Sequence, residues 1–164
     1  MNNPGCVFNR LIRDMIEGMS YFEIGIYQPH NGLNIGTLWR SAQQLGAAGI
    51  FTIGRRYRRQ ASDPFEAEEH IPLRCYATLE DFLENRPLGA QLVGIEIGGT
   101  PLSQFRHPDR AIYLLGSEAT GLPARVLEKC NAVIALEAVR QASYNVAVTG
   151  SIVMYHRVFL NPSG

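Results

Sequence analysis

Three short polar groups and one basic cluster carry the residues of this sequence that could do chemistry. Asn34, Gly36 and Arg40 form the first group. An arginine set well inside a helix is either a phosphate clamp or one half of a structural ion pair, and the structural role is the commoner one. Gly116, Ser117, Glu118 and Gly121 form the second. A glycine-bounded loop can cradle phosphate, but the carboxylate of Glu118 suits a neutral or cationic ligand, or the orienting of nearby donors. Ser143, Tyr144 and Asn145 form the third, where a serine can cap a helix and an asparagine in the first turn lies near free backbone donors. Arg55, Arg56, Arg58 and Arg59 surround Tyr57 and suit phosphate contact and base stacking, or form a solvated loop. His30 and His156 have no carboxylate partner nearby in sequence and read as structural.

These groups need strands and helices to hold them. The run 112–115 is apolar and β-favouring and breaks at once into Gly-Ser-Glu, as a buried parallel strand does at its carboxyl end. Ligands of open α/β sheets bind just beyond such ends, and Gly116 would let one approach the backbone. The spacing predicts a strand over 21–27, then a helix over 35–45 capped by Asn34 and stopped at Gly46, then a strand over 49–53. That βαβ order implies parallel strands. Further along, a short helix is predicted over 64–69, a strand over 73–77, and a helix over 78–86 opened by Thr78. Strands over 91–97 and 132–136 enclose a loop at Gly98, Gly99 and Pro101 and a helix over 123–129. A final helix over 144–159, small and apolar on most sides, reads as buried, often against another subunit. Residues 1–20 read as a helical appendage, with Phe8, Leu11, Ile12, Met15 and Ile16 on one face. That face packs on the domain or a dimer mate, or serves as an arm on RNA.

Composition narrows the class. The 164 residues are 46% hydrophobic and 18% charged, an ordinary globular balance for one domain. Fifteen basic residues offset fifteen acidic ones, so binding to a polyanion must come from local patches. The three cysteines, Cys6, Cys75 and Cys130, are too scattered for a metal knuckle or disulfide framework, which fits a reducing cytoplasm. No signal-peptide pattern or membrane-spanning apolar run is expected.

Taken in order, the groups read N-x-G-x-x-x-R (Asn34, Gly36, Arg40), L-G-x-E-x-x-G-L-P (Leu115, Gly116, Glu118, Gly121, Leu122, Pro123) and S-x-N-V (Ser143, Asn145, Val146). Each follows an apolar strand, and together they resemble the SpoU/TrmH branch of the SPOUT RNA methyltransferases over about residues 21–160. The resemblance implies an α/β fold: a parallel sheet flanked by helices, with a C-terminal trefoil knot, an exception to the rule against knots. It implies a methyltransferase domain over 21–164, S-adenosylmethionine bound bent in the knotted loops, and a homodimer with active sites at the interface. The reaction expected is methyl transfer to a ribose 2′-hydroxyl of RNA, without a metal.

By the same resemblance Arg40 is catalytic. It acts as base or, since arginine normally keeps its proton, by stabilising the developing oxyanion and binding phosphate. Asn34 would orient Arg40, Glu118 would hold the site together, and Asn145 would position cofactor and substrate. Ile95, Gly116, Ile134, Leu136, Ser143 and Tyr144 would surround the cofactor. Arg55, Arg56, Arg58 and Arg59 would bind RNA. Ala119 stands where many relatives have glycine, and the loop from Leu136 to Ala142 departs from their usual pattern. The layout, with no added RNA-binding domain expected, resembles members that modify tRNA. A ribosomal-RNA 2′-O-methyltransferase and a non-catalytic dimeric RNA-binding protein are the alternatives.

Overall fold

Short, mostly uncharged runs bounded by turn formers satisfy their backbone groups by pairing with one another in a sheet. In the computed structural model, which describes residues 21–55, 71–141 and 143–160, six such runs pair. They are β1 (Phe22–Tyr27), β2 (Gly49–Ile53), β3 (Leu73–Tyr76), β4 (Gln91–Pro101), β5 (Ala111–Leu115) and β6 (Ala132–Ala135). All pairings are parallel, in the order β3-β2-β1-β5-β4-β6. The helices are α1 (Gly32–Gln44), α2 (Leu79–Asn85), α3 (Ala124–Leu127) and α4 (Val146–Tyr155), which continues into a wider π-helical turn, His156–Leu160.

Alternate residues of each strand enter opposite cores. Phe22, Ile24, Ile26, Tyr113 and Leu115 face Leu38, Trp39, Val153 and Met154, which are supplied by α1 and α4. Tyr27, Phe51, Ile112 and Leu114 face Phe82 and Val126, from α2 and α3. Phe51 stacks on Phe82 at 5.0 Å between ring centroids. The only charge in β1, Glu23, is buried and accepts from Tyr21 and Arg74 at the amino end of the sheet, far along the strand from its carboxyl end.

Several boundaries differ from the expectation. The cap of α1 is Asn31, whose side chain accepts from Leu33 N, and Asn34 lies inside the helix. The cap of α4 is Asn145 rather than Ser143, with Oδ1 accepting from Ala147 N and Val148 N. Strand β4 does not stop at Ile97 but runs to Pro101, because after a register shift Thr100 and Pro101 pair with Ile134 and Ala135. His156 is not alone. Its Nδ1 lies 2.9 Å from His107 Nε2, and His107 Nδ1 lies 2.5 Å from the Tyr113 hydroxyl. Arg157 donates to that hydroxyl and to the carbonyls of Pro108 and Asp109, fastening the end of the C-terminal helix to the turn before β5. The predicted helices of residues 1–20 and 64–69 lie outside the described residues, as do Arg56, Arg58 and Arg59.

Candidate active site

The carboxyl ends of β1 and β5 are adjacent, and there the three polar groups of the sequence meet. Asn34 is almost fully buried in the first turn of α1. Its Nδ2 donates to Glu118 Oε1 at 2.7 Å, and its Oδ1 accepts from Asn145 Nδ2 at 3.0 Å. Glu118 also accepts from the backbone N–H groups of His30, at 3.0 Å, and Asn31, at 3.3 Å. A continuous chain therefore links the loop after β1, the loop after β5, α1 and the start of α4. Partial burial tends to raise the Glu118 carboxyl, but the donors outweigh it. The Asn34 amide and the N–H groups of His30, Glu118 and Asn31 hold its pKa below the ordinary carboxylate range.

The loop carrying Glu118 is folded tightly on itself. Gly121 N donates to Ser117 O at 3.0 Å, and the Ser117 and Thr120 hydroxyls lie 2.8 Å apart. Gly121 has φ 65°, a left-handed conformation that favours glycine. A side chain at Gly116 would fall inside the backbone of Gly121 and Leu122. Gly116 thus has a second reason to be small, because the place of a side chain is taken by the loop's own return, while its backbone still lines the neighbouring cleft.

Between this loop and the ends of β4 and β6 lies a cleft of about 690 Å³. Ile95, Leu115, Leu136 and Val146 supply apolar walls, and Glu96, Glu118, Asn145 and Thr149 bring polar groups. Five of the six residues expected to surround a cofactor line it: Ile95, Gly116, Leu136, Ser143 and Tyr144. Tyr144 donates its hydroxyl to the Glu137 carbonyl at 3.0 Å. Ile134 does not line the cleft. It is fully buried within β6, with the Gly99 backbone packed against its own.

Arg40 stands apart. It is exposed, well up α1 from Asn34, and is not part of the cleft wall. Within one subunit Asn34 does not orient it, because the Asn34 amide is committed to Glu118 and Asn145. Arg55 is exposed after β2, and its carbonyl accepts from the Thr52 hydroxyl at 2.9 Å. Glu96 was not singled out from the sequence, yet it lines the cleft and accepts from Leu122 N at 2.6 Å. Its one visible signal in the sequence is that it is the only charge in the otherwise uncharged run of β4.

The profile of the SpoU rRNA methylase family matches residues 21–155. A Bacillus subtilis protein assigned to the TrmH family of tRNA/rRNA methyltransferases is 32% identical over 136 residues, covering 77% of this chain and 53% of its own length. The chain spans about half or less of the length of the curated relatives it matches. A solved structure described as giving insight into the 2-OH methylation of C/U34 on tRNA superposes with a TM-score of 0.72 at 26% identity, over 87% of this chain and 99% of the other. An AdoMet-bound rRNA methyltransferase from Sinorhizobium meliloti shares the fold, with a TM-score of 0.72 at 24% identity over 90% of this chain and 60% of that one. The profile spans most of the chain, and all three polar groups fall within it. The chain belongs to the SpoU rRNA methylase family, the SpoU/TrmH group of the SPOUT methyltransferases.

Proposed function

We propose that this protein is an S-adenosylmethionine-dependent RNA 2′-O-ribose methyltransferase of the cytoplasm acting on tRNA. The observation that carries the reading is the convergence of Asn34, Glu118 and Asn145 beside a cleft at the carboxyl ends of β4, β5 and β6. The choice of tRNA leans on the structure described for tRNA 2-OH methylation, which this chain matches along nearly all of that protein's length. A ribosomal RNA substrate is the second reading, favoured by the likeness to a relative named for both substrates.

The chain's own residues fit the cofactor. The cleft volume lies within the range of about 300–1,000 Å³ typical of small-molecule sites. Its described lining includes two carboxylates and no lysine or arginine, which suits a cationic adenosyl ligand better than a nucleotide phosphate. S-adenosylmethionine supplies, when bound, an electrophilic methyl on a sulfonium. Ile95, Leu136 and Val146 would enclose the adenosyl part and exclude water, with Ser143 and Tyr144 at the rim. Asn34 holds the start of α1 against Asn145 at the start of α4, and Glu118 ties α1 to the loop after β5, so together they fix one wall of the cleft.

The attacking group would be a ribose hydroxyl: its oxygen bonds to the methyl carbon as the S–C bond breaks, the sulfur keeps that electron pair as a neutral thioether, and the hydroxyl proton passes to solvent water. Arg40 is the catalytic group we assign to that oxygen. A guanidinium keeps its proton, so it serves by holding an RNA phosphate and offsetting charge on the oxygen. Its place off the cleft of its own subunit is explained by a homodimer in which α1 of one copy faces the cleft of the other. The C-terminal segment after β6 crosses the strand ends to bring α4 against α1, and we read this passage as a trefoil knot. Arg55, with Arg56, Arg58 and Arg59, extends the RNA surface.

The test is transfer of labelled methyl to undermodified tRNA, with ribose-methylation mapping to locate the product. Arg40→Ala is expected to lower transfer at least about a hundredfold, the scale of a lost oxyanion-stabilising donor, while S-adenosylmethionine binding stays within twofold. Full activity in Arg40→Ala would remove it from the mechanism, and methylation of ribosomal RNA alone would decide for the second reading.

A further inference from the structure

Glu96 is the charged side chain of the cleft, among the described residues, that neither the motifs nor the Asn34 chain uses. It follows Ile95 at the point where β4 leaves its pairing with β5, and its carboxylate turns to the cleft side of the loop after β5. One oxygen accepts from Leu122 N at 2.6 Å and the other from Ile97 N at 2.9 Å. A side chain at Gly121 would strike the same carboxylate, so the loop's left-handed residue and Glu96 are packed together. Each carboxylate oxygen can accept a second bond, so acceptor capacity remains beside the cleft.

Charge in this cleft is one-sided. Glu96 and Glu118 are its only charged lining residues among those described. Glu118 faces three donors of the protein that fix it in place, whereas Glu96 accepts, among the described residues, from the backbone N–H groups of Ile97 and Leu122, both on uncharged residues. The start of α4 offers little compensation, because Asn145 Oδ1 already takes the N–H groups of Ala147 and Val148. A partly buried carboxylate in such a site attracts a cation over a longer reach than the same group in water.

We propose that Glu96 is a specificity-determining residue: its negative charge makes the cleft prefer the cationic methyl donor over the neutral thioether product, while its hydrogen bond to Leu122 N holds the loop that carries Glu118. The inference rests on the cofactor assigned above. S-adenosylmethionine carries a sulfonium, an ammonium and a carboxylate, a net charge of plus one. Methyl transfer leaves S-adenosylhomocysteine, which has lost the sulfonium charge and is neutral overall. A fixed carboxylate therefore favours entry of the donor and departure of the product; Glu118 adds to the same field, and Glu96 is the one of the two whose charge can be removed without breaking the Asn34 contact.

The experiment is calorimetric titration of the whole chain with S-adenosylmethionine and, separately, S-adenosylhomocysteine, at low salt and at half-molar salt. Three forms are compared: the unaltered protein, Glu96→Gln and Glu96→Asp. Glutamine keeps an acceptor for Leu122 N but no charge; aspartate keeps the charge on a shorter stem. Expected are a donor affinity that weakens with salt more than product affinity does, and a donor-to-product preference reduced at least threefold in Glu96→Gln but retained in Glu96→Asp. Equal weakening of both ligands in Glu96→Gln, or an unchanged preference, would overturn the charge-selection role and leave the cofactor assignment standing. Failure of the unaltered protein to bind either ligand at millimolar concentration would overturn both.

Discussion

At the scale of single residues, Asn34 is the joint on which the site turns. An amide presents a donor and an acceptor on one plane, and here each has a distinct partner: Glu118, which can only accept, and the Asn145 amide, which donates. No other uncharged side chain of that size serves both. Aspartate would set a second acceptor against Glu118, and alanine would take this partner from both the Glu118 oxygen and the Asn145 amide. Asn34→Ala should lower unfolding free energy by roughly 1–3 kcal/mol, the range for losing bonds to a charged group and leaving partners unmet. Urea unfolding measures this. Because the joint aligns the start of α4 with the loop after β5, cofactor affinity should fall as well. An unfolding midpoint equal to the unaltered protein's would mean that Glu118 holds α1 through His30 and Asn31 alone.

At the scale of elements, the C-terminal helix is fastened at both ends, by Asn145 at one and by the His107–His156 pair at the other. Arg157 donates to the Tyr113 hydroxyl, which shares a hydrogen bond with His107 Nδ1, and His107 Nε2 shares another with His156 Nδ1. A neutral His107 offers one donor and one acceptor to these two partners. Burial, with the positive charge of Arg157 and the neighbouring His156 acting the same way, lowers its pKa to about 3. Burial also lowers that of His156, opposed by Glu137, and pushes the Tyr113 hydroxyl up to about 12 against the effect of Arg157. Between pH 6.5 and about 3 the unfolded chain binds a proton at His107 that the folded chain refuses. Stability should therefore hold above pH 6.5 and decline as pH falls below it, by up to about 1.4 kcal/mol per pH unit for this group. Urea midpoints between pH 7 and pH 5 should show that slope, and His107→Phe should flatten it even where the variant is less stable. An equal slope in both would place the titration elsewhere.

The elements themselves were largely readable in advance, and the misses have physical causes. Strands β1, β2 and β5 announce themselves as apolar runs ending in turn formers, because both faces of the sheet are covered. The caps were misplaced because Asn31 and Asn34, like Ser143 and Asn145, are equally good candidates locally. What separates them is a partner far along the chain, as Glu118 is for Asn34. Gly98 and Gly99 signal a turn, yet β4 resumes past them because Gly99 meets the backbone of Ile134 in β6. His107 and His156 show nothing of each other in sequence, being 49 residues apart. The three polar groups were readable as neighbours only through their order and strand contexts; the separation of Arg40 from Asn34 was not, since helical spacing fixes a residue's face but not what covers it.

At the scale of the whole molecule, the face made by α1 and α4 is left unfinished. Helix α4 has apolar side chains all round, so the residues turned from the core meet solvent in this subunit: Val148 and Tyr155 are about half exposed, at 45% and 51%, and Ile152 is 38% exposed. They line a groove of about 490 Å³ with Thr37, Ser41, Gln44 and Leu45 of the α1 side. Arg40 lies on the same exposed flank of α1. A patch of this kind marks an interaction surface, and the proposed homodimer covers it with a second copy while carrying Arg40, which does not line the cleft of its own chain, to the partner's cleft. Ile152→Glu tests the arrangement. The substitution puts a charge into the groove without touching Asn34, Glu118, Asn145 or the cleft lining. Light scattering should show the unaltered protein as a dimer and the variant as a monomer with an intact fold by circular dichroism. Methyl transfer should fall in step with dissociation, whereas cofactor binding should persist, since the cleft wall is drawn from one chain. A monomeric variant with undiminished transfer would mean that Arg40 reaches its substrate without a partner. A variant that stays dimeric and active would move the interface to another face.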